Sequence, residues 1–243
     1  METWRNIGRS LEELLRPQTY PLAVKFVKDE SEFPERTRRS DQKIAICQAL
    51  TTSRRWGWTM GITDKDSGCP GASIAYGWPQ LIDEETLAQF FLTAGYAATE
   101  AGAATIVENI DRLEPNKYGG IVISPLVRTK VVPDVILIYG NPAQMMRLLQ
   151  GAMYKEGKKI PSELAGIMAS CTAGAIRAFN TGDYQVVVPG NGDRVFAATH
   201  DNEMLFAIPA AKAEEIIEGM QAQRFAKYPI PVAQQMPPPF PGL

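Results

Sequence analysis

Histidine is nearly missing from this chain: His200 stands alone among 243 residues. Ser-His-Asp or Cys-His catalysis would have to draw its general base from that one side chain, set in the polar turn Thr-His-Asp-Asn. No GxSxG, Walker loop or GxGxxG occurs, which removes the local signatures of α/β-hydrolases, P-loop enzymes and dinucleotide folds. CxxC pairs are also lacking, and with them the ligand spacing of zinc ribbons and redox folds. A basic surplus is wanting too. The formal net charge is −2, and the cluster of Arg36, Arg38 and Arg39 with Arg54 and Arg55 is short, so nucleic acid is not an expected partner. The longest apolar stretches, such as Val131–Ile138, are broken by Pro133 and Asp134 and fall short of the roughly 20 residues of a membrane span. The N-terminus carries no basic-then-apolar signal. We therefore expect a soluble, cytoplasmic chain with no membrane partner.

What remains is an ordinary globular composition, 45% hydrophobic and 21% charged, expected to fold as one domain over 1–243 with an extended, proline-rich tail at 228–243. The patterning alternates helices with short β-rich runs. A helix is predicted over 8–16, capped by Ser10 and Glu13 and stopped by Pro17. Strands are expected at 21–27, 56–62, 120–125, 131–139, 184–188 and 204–208. Further helices are expected from about Ile44 to Thr52, from Asp83 to Ala94, near 96–102, and over 143–153, 170–179 and 210–220. This is an α/β (α+β) pattern, a mixed sheet flanked by helices. Two blocks echo one another. Cys47-Gln-Ala-Leu leads to Cys69-Pro-Gly-Ala, and Cys171-Thr-Ala-Gly leads to Pro189-Gly-Asn-Gly-Asp193, each running helix, short strand, glycine turn. An internal pseudo-duplication would bring the two halves face to face.

The three cysteines carry the chemistry. Thiols stay reduced in the cytoplasm, so Cys47, Cys69 and Cys171 are either inert core or chemistry, and not a disulfide framework. Each sits among small residues near an expected helix start, and Pro70 after Cys69 suits the first helical position. A helix start offers free N–H groups and a positive dipole, an arrangement expected to lower a thiol's pKa. Three scattered cysteines are also what an apolar core contains. Three thiolates on an iron–sulfur cubane would leave a fourth iron open to substrate.

The second candidate is Pro189-Gly-Asn-Gly-Asp-Arg194, where Asn191, Gly192 and Arg194 are expected to grip a small anionic substrate; a plain hairpin turn is the competing reading. Asn141, at the end of a strand, is a further substrate-binding candidate, or simply a helix N-cap. Met145, Met146 and Met153 read as core packing. Trp56, Trp58 and Trp78 read as core, or as walls of an apolar pocket.

Pro21-Leu-Ala-Val-Lys-Phe, Cys47-Gln-Ala, Cys69-Pro-Gly-Ala, Pro133-Asp-Val-Ile-Leu-Ile-Tyr-Gly-Asn-Pro-Ala-Gln and Gly192-Asp-Arg together resemble the prokaryotic domain-of-unknown-function family numbered 169, over roughly residues 10–215. The resemblance implies no activity. It implies a shared ligand role for the three cysteine positions, with a further cysteine in some members near the glycine turn, where this chain has Pro189-Gly-Asn-Gly. The expectation is an iron–sulfur protein, 4Fe–4S in type, acting as a lyase or oxidoreductase of anaerobic-type metabolism on a small molecule. A redox partner would follow from a redox role, and self-association into a homo-oligomer is left open. The alternatives are a non-catalytic small-molecule or cofactor binder, and a cysteine-thiolate enzyme acting through Cys69.

Overall fold

A computed structural model describes residues 1–79 and 81–223; the proline-rich tail at 228–243 lies outside the described residues. The first helix, α1 (Glu2–Leu15), begins six residues before its expected start. Its apolar positions Ile7, Leu11 and Leu15 follow a helical repeat and are buried, so Ser10 and Glu13 lie inside the helix and cap nothing. Pro17 does its expected work: the helix closes on Arg16 in the left-handed conformation, one residue before the proline.

Six strands follow: β1 (Leu22–Val27), β2 (Met60–Thr63), β3 (Gly120–Pro125), β4 (Val135–Gly140), β5 (Gln185–Val187) and β6 (Met204–Pro209). They form one sheet in the order β2-β3-β1-β4-β6-β5. The α/β class is as expected. The sheet, expected mixed, pairs antiparallel in every ladder between these strands, and among the described residues parallel pairing is confined to two isolated bridges, Arg38–Met60 and Ile44–Ser67. Outward from the central β1–β4 pair the two halves read alike: β1, β3, β2 on one side and β4, β6, β5 on the other. Both β3 and β6 end on a proline followed by a short 3-10 turn. The two blocks that echo in the sequence contribute the two edge strands, β2 and β5.

Strands β3 and β4 are buried along their whole length, because helices cover both faces of the sheet. One face carries α1, α6 (Pro142–Met153) and α9 (Ala213–Ala222), packed on Ala23, Ile136, Ile138, Phe206 and Ile208. The other face, through Leu22, Val24, Phe26, Leu137 and Tyr139, receives α2 (Ile46–Trp56), α3 (Pro70–Tyr76), α4 (Glu84–Thr93) and α5 (Glu100–Glu108). It also receives a π-helix, Ala169–Ile176, continued by α7 (Arg177–Thr181). The expected strand at 56–62 shortens to β2 because Trp56 completes α2. The helix expected near 96–102 begins instead at Thr99, whose hydroxyl caps α5. The turn expected at 190–194 winds into a short helix, α8 (Asn191–Val195). All three cysteines lie on the second face. Among the described residues no helix is long and apolar enough to cross a membrane.

Candidate functional site

Cys47 is the second residue of α2, whose opening turn is held by the Gln48 side chain, which accepts the Ala45 N–H at 2.8 Å. Cys69 is the N-cap of α3 with Pro70 at the first helical position, as its sequence predicts. Cys171 rides on the π-helix, whose Ala-Ser-Cys-Thr-Ala-Gly run is small enough to lie close on β6. Wide i→i+5 turns are rare and concentrate at functional positions. These three elements, far apart along the chain, bring all three cysteines to the wall of one cavity of about 580 Å³. Each cysteine is only partly accessible.

The segment 190–194 reaches the same place. The Cys47 thiol donates to the Gly192 carbonyl across 3.8 Å, and Asn191, Gly192 and Asp193 all line the cavity. Asp193 is buried, and its carboxyl accepts the Gly190 N–H at 2.9 Å and the Ser170 N–H at 3.4 Å. It thereby ties α8 to the residue beside Cys171. Arg194 and Asn141 do not join them. The Arg194 guanidinium donates to the His200 carbonyl at 2.5 Å and is no part of the cavity wall, so the expected grip on an anion loses its counter-charge. Asn141 caps α6, its side chain accepting the Gln144 N–H at 3.0 Å, and stands away from the cavity.

The remaining candidates also fall elsewhere. His200 lies exposed in its turn. Trp78 is core, whereas Trp56 and Trp58 are exposed and Arg38 stacks on Trp58. Met145 is core, but Met146 is exposed. The arginine-rich segments form no open basic stripe: Arg54 is buried against Glu203, and Arg39 is engaged by Asp66 and Glu30.

The thiols' acidity runs opposite to the expectation from helix starts. Burial pushes Cys47 up to about 12, with the neighbouring Asp193 and Cys69 adding to the rise. Cys69 is raised by burial even though the N–H groups of Ala72 and Gly71 act the other way, and Cys171 is raised too, again by burial first and then by Asp193 and the other two cysteines. Desolvation outweighs the dipole here. Asp193 is itself raised by burial, against the pull of its hydrogen bonds from Gly190 and Ser170.

Two residues escaped sequence reading. Asp193 sat inside an apparent hairpin turn; its position three residues after Gly190 is the signal of a helix start. Tyr76 is fully buried close to the three thiols, and its hydroxyl has no hydrogen-bond partner among the described residues. A buried polar atom left orphaned calls for a partner, and the sulfur of a bound inorganic core is one that would accept from it. Among the described residues no three His, Cys, Asp or Glu side chains close around a single metal ion. A multi-iron core spreads its thiolates more widely than one ion does. Gly71, directly after Pro70, packs so close to Met168 that a Cβ there would meet its Sδ at 2.4 Å. Three thiols along one cavity wall are the donor type that an iron–sulfur core takes.

The family profile DUF169, described as an uncharacterised ArCR family, matches residues 10–219. The chain is also similar to the Uncharacterized protein MJ0308 of Methanocaldococcus jannaschii, 25% identical over 218 residues that span 89% of this chain and 93% of that relative. No solved structure matches. The chain belongs to the DUF169 family.

Proposed function

We propose that this member of the family is a cytoplasmic iron–sulfur protein, with Cys47, Cys69 and Cys171 as thiolate ligands of a 4Fe–4S cluster and a small molecule as its substrate. One observation carries the reading: three thiols 22 and 102 residues apart in sequence line a single cavity. When bound, such a cluster offers an iron without a protein ligand, able to act as a Lewis acid toward a substrate oxygen or sulfur or to pass an electron. The chain's own residues do the rest. The thiols give up their protons on loading, so burial that raises their pKa makes loading favour higher pH. Asp193 pins α8 against the π-helix and holds its carboxyl in the same wall. Tyr76, buried near the same thiols, keeps an O–H without a partner among the described residues.

Anaerobic purification followed by iron and acid-labile sulfide analysis tests the reading. About four of each per chain are expected for a cubane, with a brown visible chromophore that Cys171→Ala abolishes. A colourless protein that still titrates three free thiols after anaerobic reconstitution with iron and sulfide would falsify it.

The cavity's size also favours a second reading, a non-catalytic binder of a small molecule, for which a retained organic ligand in colourless protein is the mark. The Cys69 nucleophile reading has less support, because burial keeps that thiol protonated.

A further inference from the structure

We infer that the cavity receives a neutral, largely apolar molecule carrying a ring, which enters between Phe90, Tyr96 and Phe196 and turns its polar end toward the thiols. This rests on reading that cavity as the functional site, but not on what the sulfurs hold. Its volume, about 580 Å³, falls inside the roughly 300–1,000 Å³ of small-molecule pockets. The rim is the telling part. Phe90 is 56% exposed, Phe196 65% and Tyr96 36%, yet all three border one opening. Three large rings left in water around a single mouth are a cost that an apolar guest would remove. The rim is also held in place. Asn191 donates to the Tyr96 hydroxyl at 2.5 Å, and Phe91 stands edge-on to Tyr96 with ring centres 6.0 Å apart. Edge-and-face placement of this kind suits a flat guest.

Charge narrows the class. The cationic side chain in the wall is Lys43, exposed at the margin, while Arg194 is turned to the His200 carbonyl. The acidic one is Asp193, buried in the interior. An anion would meet that carboxyl in the wall, and the guanidinium that acts on it, Arg54, is already committed to Glu203. A ring with one hydrogen-bonding end meets the Cys47, Cys69 and Cys171 thiols and the Asn191 amide instead.

Titration of the full chain with N-phenyl-1-naphthylamine, a neutral fluorophore, tests this. The expected result is saturation at one site, indifferent to added salt and not displaced by inorganic phosphate. Phe90→Ala and Phe196→Ala, both at exposed positions, should each weaken binding roughly five- to tenfold, one ring contact's worth. Trp56→Ala and Trp58→Ala remove exposed rings elsewhere and should leave it unchanged. Binding that never saturates, that ignores the two phenylalanine changes, or that phosphate displaces overturns the inference. The titration is run on cluster-free and on reconstituted protein. Probe binding without iron in either preparation removes the cluster reading and keeps this one; iron without probe binding does the reverse.

Discussion

Arg54 shows how much a single side chain can organise. It is wholly buried, meets both Glu203 oxygens at 2.5 and 3.1 Å, and lies 4.1 Å from the centre of the Tyr139 ring. Since α2 also carries Cys47, this pair fastens the segment after α8 to the helix that begins at the site. Arg54→Met leaves the buried Glu203 charge with only the 3.4 Å Arg55 contact and the His200 N–H, and should cost about 3 kcal/mol by urea unfolding, the low end for a broken buried pair; adding Glu203→Leu should restore much of it. Burial alone would raise the Glu203 pKa, but the Arg54 guanidinium, the His200 N–H and Arg55 outweigh it, and the net shift is downward from 4.5. The pair's contribution is therefore present above the ordinary carboxyl range and lost as pH falls through the depressed value. Unfolding followed down through acid pH should show the wild type losing stability that Arg54→Met no longer has to lose. The thiols give a second test at this scale. With Cys47 near 12 and the other two also raised, iodoacetamide should label cluster-free protein slowly at neutral pH, with a rate still climbing about tenfold per pH unit at pH ~9. A plateau near neutrality would show an activated thiolate. Sequence disclosed the local parts of this picture, the Cys69 and Asn141 caps, because a cap is written within four residues. The Arg54–Glu203 pair joins positions 149 apart and reads locally as an ordinary basic helix end.

Helix packing against the sheet turns on close approach. Gly151 of α6 and Gly219 of α9 face each other so tightly that a Cβ on Gly219 would stand 2.1 Å from the Gly151 carbonyl oxygen. Backbone cannot yield as a side-chain tip can, so Gly219→Ala should force the two helices apart. The expected loss is about 1–3 kcal/mol, read as a lower urea midpoint, and under the cluster reading the iron content stays unchanged because α6 and α9 lie across the sheet from the cysteines. Elements with strong periodicity were legible almost to the residue, as β3 and α6 show. The π-helix was legible as a helix but not in its pitch, since Ala-Ser-Cys-Thr-Ala-Gly has no apolar rhythm to count. The start of α1 was misread because Ser10 and Glu13 mimic a capping box on a surface already helical. Gly-Asn-Gly reads as a turn, and only the Asp193 bonds to Gly190 and Ser170 reveal why it coils.

At the level of the molecule, both hydrophobic layers draw on both halves: Ile7 and Leu11 of the first pack with Ile136, Phe206 and Ile216 of the second, and Val24 and Ile121 with Leu137 and Ala207. The direct β1–β4 ladder is only three residue pairs long. Cutting the chain after Lys130 should therefore yield two pieces that are unfolded alone by circular dichroism but associate when co-expressed, and the intact protein should unfold in one transition. Independent folding of residues 1–130 would contradict this account. Neither the strand order nor the antiparallel pairing was legible, because residue choice and spacing do not declare neighbour or direction when both faces are covered.

That interleaving bears on how a cluster would arrive. Two sulfur donors belong to the opening half and the third to the closing half, so a growing polypeptide never holds the full donor set until its late strands have docked. Under the cluster reading, inorganic iron and sulfide would be delivered to an already assembled shell, through the aromatic doorway, and not captured by a nascent loop.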